Sequence, residues 1–459
     1  MLKNKAFQLF RGIFSNSKKI IYLIFGVYLL YGLYFGNWRT ESIIQHDVII
    51  YYEYLTATFM FNDLSFEFAS QLPEKFDGEI WLSEGEDGEF FPKMTMGVSI
   101  MLTPFYLIAY LINKLEVLGS FGYSAFFQFF VFLAAMIYAI LAAIFQRKIL
   151  TQFFNDRVVC LVLISIFLCT NLFYYTIVES GMSHVYSFFL YTLLIYMTIE
   201  WHKNQSLKNS AVMGLVMGLI ILVRPTNVVA ALIPICYGLF TKAGRENKVN
   251  ILKEKKLKVA FAIVLCCLLV SLQFLFWKYS TGKWFIYGYS DEGFFFLEPK
   301  FIDTLFSFRK GFLTYAPILI LAISGIFLAR NMKDLRLPLI IFLILNLYIV
   351  SSWWCWWYGG SYGQRALIET IAVLAIFFGF FYQWLLKKSF LIRTATIILI
   401  GFFFVQNTIQ MMQYKKAILH WHGMTYDAYK NIFFKLEYPE NYSDYIVEPD
   451  YDAAMKGDR

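Results

Sequence analysis

The sequence predicts an all-α integral membrane protein of about 11–13 transmembrane helices, with a long first external loop containing interfacial helices. Three observations carry this. Apolar runs of about 17–25 residues recur along the chain, each enough to cross a hydrocarbon core of roughly 30 Å. Of the 459 residues, 59% are hydrophobic and 20% aromatic while only 16% are charged, whereas a soluble chain carries about a quarter. Charge is also segregated. Residues 1–19 hold five Lys/Arg and no acid, and residues 241–258 hold seven Lys/Arg against two Glu. Residues 36–95 instead hold twelve acids against three bases. Basic loops stay inside, so the acidic loop faces outward. The net charge of +8 therefore reads as topology and contact with anionic membrane lipids rather than nucleic-acid binding.

Taken in order, 1–19 is a cytoplasmic N-terminus and IIYLIFGVYLLYGLYFG (20–36) an uncleaved first helix, since no small-residue cleavage site follows. Within the external loop 36–95, DVIIYYEYLTATFMFNDLSF is amphipathic and predicts a helix lying in the interface. An acidic Gly-containing stretch, DGEIWLSEGEDGEF, follows it. Further spans are expected near 96–113, 121–146, 158–177, 183–200, 208–223, 226–241, 259–279, 313–330, 337–354, 366–386 and 390–412. A cytoplasmic start and an external tail need an odd number, so 96–146 hides a third short crossing or a re-entrant segment. The domain is thus 20–412, with a second long external loop at 280–312 rich in aromatics. Residues 413–459 form an external, tyrosine-rich tail.

Several charged groups need a reason. Arg224 stands between two apolar helices in ILVRPTNVV, where Pro225 ends the first. It is either an arginine reaching headgroups or a phosphate-binding cation. Arg365 and Glu369, four apart in GQRALIETIAV, share a helix face. Glu369 would fix the guanidinium, as a structural ion pair or as support for a ligand contact. Lys93 (FFPKMTMG) and Arg309 with Lys310 (FSFRKG) lie just outside helix starts. Snorkelling explains each alone. Cations at four external junctions of an otherwise acidic face together suggest an anionic ligand, with a lipid phosphate the obvious one.

His184 (GMSHVYSFF) opens a helix on the same side, as a cap or a contact to ligand. Trp353, Trp354, Trp356, Trp357 and Tyr358 form an interfacial belt or stack on a sugar, with Gly359, Gly360 and Gly363 permitting close approach. Neither the six cysteines nor any histidine pair has metal-ligand or disulfide spacing, so no metal site is expected. Asp47, in HDVIIYYEYL, is either a solvated acid beyond a helix exit or a partly desolvated carboxylate able to act as a general base.

The order of these features resembles polytopic glycosyltransferases of the type-C (GT-C) fold that use lipid-phosphate sugars, the group of the protein mannosyltransferases and the lipid A aminoarabinose transferase. The likeness spans most of 20–412. It rests on an acid early in the first external loop, a Lys–Pro-like element opening the next helix, a cation–Pro junction, and an Arg after a Gly-rich aromatic loop. SHVYSFFLYTLLIY, GLIILVRPTN, LFSFRKGFLTYAP and WWYGGSYGQR are similar to an uncharacterised bacterial branch. The resemblance implies a multi-pass enzyme of the inner (cytoplasmic) membrane working at its outer, periplasmic face. It implies a polyprenyl-phosphate-linked sugar as donor and a hydroxyl of a protein, glycan or lipid as acceptor. Asp47 would be the catalytic base, Lys93 and Arg224 phosphate contacts, and Arg365 a contact to phosphate or sugar. Arg309 and Lys310 would add charge at the phosphate, and His184, Trp356, Trp357 and Tyr358 would touch sugar or acceptor. The sequence departs from the pattern in two places: His46 precedes a single acid where the group often has two, and the Lys-Pro-Pro element reads Pro92-Lys93-Met94. No cofactor is called for, because this many cations make a divalent metal unnecessary without excluding one.

The rival from another class is a transporter or flippase for a lipid-linked or anionic solute, with Arg224, Glu369, His184 and Gln128 along the path. Such proteins carry paired halves with discontinuous helices in corresponding positions, a pattern not found here. A third reading, a non-catalytic scaffold, gives no reason for the external cations.

Overall fold

The computed structural model describes residues 16–68, 82–85, 88–116 and 122–459. The rest of the N-terminus, most of the acidic stretch of the first external loop and, within the 96–146 stretch expected to hide a crossing or re-entrant segment, residues 117–121 lie outside the described residues. The described residues are helical, with one antiparallel ribbon among them pairing Leu82–Glu84 with Phe90–Pro92. Among the described residues, four helices are long and apolar enough to cross a membrane: Ser17–Phe35, Ala125–Leu150, Lys256–Thr281 and Phe390–Lys415. Shorter apolar helices include Leu207–Val223, Arg336–Ser352 and Thr370–Leu385.

Proline accounts for two departures from the expected spans. The run at 226–241 becomes a 3-10 helix, Pro225–Ala231, and a short helix, Leu232–Cys236, holding Pro234. The run at 313–330 breaks into Phe312–Tyr315 and Leu319–Leu328 around Pro317. At Pro225 and Pro317 the ring removes a backbone donor and pushes its predecessor, Arg224 or Ala316, out of helical geometry.

The chain falls into two compact units, each assembled from separate stretches. Unit 2 comprises 28–142 and 175–290. Its tightest packing joins Leu207–Val223 to Lys256–Thr281. A side chain at Gly214 would overlap the backbone of Ala262, and one at Gly218 would press on Cys266 and Leu269. Small residues four apart let two membrane helices approach closely, where dispersion replaces the absent hydrophobic drive. The basic helix Lys242–Glu254 is tied back by Lys248, whose Nζ donates to His202 Nε2 at 2.9 Å and to the Pro234 carbonyl at 2.8 Å.

Unit 1 comprises the described residues up to 27, 143–174 and 291–459. Leu319–Leu328 lies against Thr370–Leu385, with Gly325 facing the Phe377 carbonyl so closely that a Cβ would not fit. Amides on the last long helix tie it to the 168–170 stretch and to the C-terminal segment. Asn407 Nδ2 donates to the Leu168 and Thr170 carbonyls, both at 3.1 Å. Gln410 Nε2 reaches the Tyr429 hydroxyl at 2.7 Å, and Gln413 Nε2 the Ile432 carbonyl at 2.6 Å. Polar groups away from water need such partners, which is why this apolar helix can carry so many amides.

Candidate functional site

Asp47 is set by a chain of contacts inside unit 2. Gln128, in the Ala125–Leu150 helix, accepts from the Ile43 and Ile44 N–H groups at 2.7 and 3.2 Å and donates to the Tyr123 carbonyl at 3.0 Å. Asn37 donates to the Val178 carbonyl at 3.2 Å. The approach to Asp47 is therefore pinned twice. His46 then turns the chain with φ 52° and ψ −134°, a conformation rare outside glycine, and the Asp47–Leu55 helix begins. Asp47 occupies its first turn, half-buried, while Val48 to Leu55 are all buried.

This corrects the expectation of a helix lying on lipid. Its apolar residues meet protein. Val48 fills the space that a side chain at Gly181 would need, the Ser99 hydroxyl donates to the Tyr51 carbonyl, and the Tyr54 hydroxyl donates to the Met94 carbonyl at 2.8 Å. Amphipathicity marks a helix that must cover one face and is silent about what covers it.

The same unit brings together the segments bearing Lys93 and Arg224. Gly97, at the start of its helix, packs so tightly on the Leu222–Val223 backbone that a Cβ would overlap it. Thr95 Oγ1 donates to the Leu222 carbonyl at 2.6 Å. Lys93 stands two residues before that tie and Arg224 two residues after it. Both side chains are half-buried, and Lys93 Nζ lies 4.9 Å from the centre of the Tyr289 ring. Because Tyr54 bonds Met94, the Asp47 helix is docked onto this junction as well.

His184 is placed differently. It is 2% exposed and packs edge-on to Tyr175 at 4.9 Å, so it belongs to the core of the unit rather than to an open surface.

In unit 1, the aromatic run and two cations meet the C-terminal tail. Trp354, Trp356 and Trp357 are buried, clustered with Tyr451, Ala454 and Phe295, so these indoles form neither a lipid-facing belt nor an open stacking platform. Tyr358 is half-buried with φ 55°. The Arg309 guanidinium lies 5.3 Å from the Trp357 ring centre, and Trp357 Nε1 donates to the Tyr451 hydroxyl at 3.5 Å. His422 Nδ1 stands 3.0 Å from that hydroxyl, and its Nε2 is 3.6 Å from Glu448. Burial raises the Tyr451 pKa, opposed by its bond from Trp357 and by the charges of Arg309 and Arg365. Both arginines thus act on one phenol. Burial also lowers the pKa of Arg309, the mark of a cation that has given up water. An anion there would replace the lost solvation.

Lys310 does other work. It is fully buried, and its ammonium donates to the Ser361 and Trp421 carbonyls. Gly363, at φ +62° against the Tyr315 side chain, lets the loop turn toward Arg365. Glu369 is buried immediately before the Thr370–Leu385 helix.

The sequence reading missed Tyr451, His422 and Glu448 in the external tail, although two histidines in HWHG were a visible signal. It also missed Glu53, a carboxylate amid tyrosines in YYEYL. Among the described residues, no group of three His, Cys, Asp or Glu side chains is placed to hold a metal ion.

No protein-family model and no curated protein matches the chain. Among solved structures, the archaeal oligosaccharyltransferase AglB from Archaeoglobus fulgidus, in complex with an inhibitory peptide and a dolichol-phosphate, aligns at a TM-score of 0.49 and 12% identity. That alignment covers 94% of this chain and 61% of the other. The Archaeoglobus fulgidus oligosaccharyltransferase in apo form aligns at 0.47 and 12%, covering 95% and 63%. The chain therefore spans about three fifths of the length of these structures. Scores this low carry no weight, and the functional reading rests on the chain's own residues.

Proposed function

We propose that this chain is an inverting glycosyltransferase that moves a sugar from a polyprenyl-phosphate donor to an acceptor hydroxyl at the outer face of the membrane. The observation that carries the reading is the build of unit 2. A half-exposed Asp47 opens an otherwise buried helix, and that helix is hydrogen-bonded to the junction that joins the Lys93 and Arg224 segments. An acid and two cations on one such scaffold suit the two demands of the reaction.

The acceptor hydroxyl passes its proton to the Asp47 carboxylate as its oxygen attacks the anomeric carbon. The bond from that carbon to the phosphate oxygen breaks, and the electron pair leaves with the phosphate. Lys93 and Arg224 stabilise the growing charge on the departing phosphate. One carboxylate suffices, because inversion needs no covalent sugar intermediate. Within unit 1, Arg309 and Arg365 carry anion-binding chemistry of their own. Lys310 is assigned to holding the loop before Arg365. The transporter reading loses two of its path residues, since Gln128 spends its amide on backbone and His184 lies in the core.

The test is transfer by purified protein in detergent, supplied with radiolabelled polyprenyl-phosphate sugars. Asp47→Asn lowers transfer by about 100-fold or more while donor binding persists. Near-normal turnover by that variant removes the general-base assignment.

A further inference from the structure

Glu53 is the most anomalous charged residue of unit 2. It is 0% exposed, and neither carboxyl oxygen has a hydrogen-bond partner. The groups around it are spent on others. Tyr52 donates to the Gly122 carbonyl at 2.8 Å, and Tyr54 to the Met94 carbonyl at 2.8 Å. The Tyr123 hydroxyl pairs with Thr56 Oγ1 at 3.1 Å. Tyr54 and Tyr123 both feel the carboxyl's charge. Beyond them, Tyr106 packs on Tyr52 from the Gly97–Glu116 helix at 5.6 Å, and Gln273 of the Lys256–Thr281 helix donates to the Tyr54 hydroxyl at 3.3 Å. Among the described residues no cation acts on the acid, and burial pushes its pKa up to about 8. At neutral pH it is a carboxylic acid, and burying it neutral is far cheaper than burying it charged.

Its place in the chain gives this a consequence. Glu53 lies on the helix that Asp47 opens, and at Thr56 that helix becomes a π-helix, Thr56–Phe61. Wider turns of that kind are rare and often stand at functional sites. Six residues along a helix is a rotation of about 240°. The two acids therefore point different ways, Asp47 outward and Glu53 inward, and Glu53 does not touch the reacting atoms.

We propose that Glu53 is a positioning residue whose neutral carboxyl seats the Asp47 helix and the following π-helix, and whose loss of a proton unseats both and withdraws Asp47. The proposal rests on the glycosyltransferase reading for its effect on activity, but not for its effect on structure. The sign follows from linkage. Below the unfolded pKa the acid is protonated whether the helix is seated or not. As pH rises from there to the seated pKa the seated form is progressively disfavoured, and above that pKa the carboxylate demands water. Between those two pKa values each pH unit favours the open form by about tenfold, and above the seated pKa, where both forms have lost the proton, the preference levels off.

The test uses the full-length protein in detergent and has two arms. Hydrogen exchange, corrected for the intrinsic pH dependence of the chemistry, is read on peptides covering 47–61 from neutral to about pH 9.5. Protection falls in the native protein by about tenfold, levels off above about pH 8, and stays flat in Glu53→Gln. Equal behaviour of the two overturns the proposal. In case the variant does not fold, the native protein alone is titrated by infrared spectroscopy. The carbonyl-stretch band of a protonated carboxylic acid, present at neutral pH, is lost above about pH 8 together with protection of 47–61. Protection that falls without loss of that band, or the band's absence at neutral pH, also overturns it. Neither arm involves a sugar, so both stand if the transfer reading fails. Where transfer is measured, its alkaline limb moves to higher pH in Glu53→Gln. A limb common to both proteins removes the link to Asp47 alone.

Discussion

Residues of identical charge have separate duties here, and burial divides them. Arg224 is half-buried at the end of a helix, whereas Lys310 is sealed with its ammonium on two carbonyls. Substituting them has opposite signatures. Arg224→Ala weakens donor binding and slows turnover together, by at least about tenfold, with the melting temperature little changed. Lys310→Met removes both charge-assisted bonds and strands the Ser361 and Trp421 carbonyls, costing about 2–4 kcal/mol in stability. Thermal unfolding alongside donor titration separates the two outcomes, and an unchanged melting temperature for Lys310→Met removes the anchoring role.

That contrast also marks how far residues could be read from sequence. A cation at the end of an apolar run is conspicuous, because charge beside hydrocarbon is costly and needs a reason. Its duty is not conspicuous. Lys310 and Arg309 are neighbours in the chain, yet one is bonded to Ser361 and Trp421 and the other lies against Trp357 and donates to Val447. Only the fold decides which backbone carbonyls come within reach. Glu53 is harder still. In YYEYL the acid looks like the polar side of an amphipathic helix, and the groups that surround it in the fold, Tyr123 beside it and Gln273 on the Tyr54 hydroxyl, lie far along the chain.

At the scale of elements, long apolar helices were legible and their interruptions were not. Ser17–Phe35, Ala125–Leu150, Lys256–Thr281 and Phe390–Lys415 fall where continuous hydropathy placed them. Pro225 was legible as the end of a helix, but Pro317 broke the run at 313–330 into short pieces, and a hydropathy window averages over such a break. Glycine sets the close approaches. Gly97 carries the junction of Lys93 and Arg224, because any Cβ there overlaps the Leu222–Val223 backbone. Gly97→Val forces the two helix ends apart and breaks the Thr95 bond to Leu222. It costs about 1–3 kcal/mol in stability and weakens donor affinity, although every proposed contact residue is retained. Donor titration with Gly97→Val tests this, and unaltered affinity with lowered stability dissociates the junction from binding.

For the molecule as a whole, charge segregation was the feature most open to reading, and it makes a topological prediction inside unit 2. Ser83, in the acidic loop, and Asn250, in the basic helix, are assigned to opposite faces of the membrane. Over the background of the native cysteines, Ser83→Cys reacts with a membrane-impermeant maleimide on intact cells. Asn250→Cys reacts only after permeabilisation. Labelling of both from outside overturns the orientation and with it the outer-face site. The meeting of the tryptophan run with Tyr451 was not open to reading, since nearly a hundred residues separate Trp357 from it.

Both units are stitched from distant stretches of chain, and this bears on biogenesis. In unit 1 the helix Asp156–Leu168 receives Tyr382 on Ser165 and Asn407 on the Leu168 carbonyl, groups synthesised more than two hundred residues later. While the ribosome is still at work, that early helix waits in the bilayer with these partners missing. Truncated nascent chains ending before residue 382 are accordingly the form most exposed to quality-control proteases, and the last helices act as the late fasteners of the assembly.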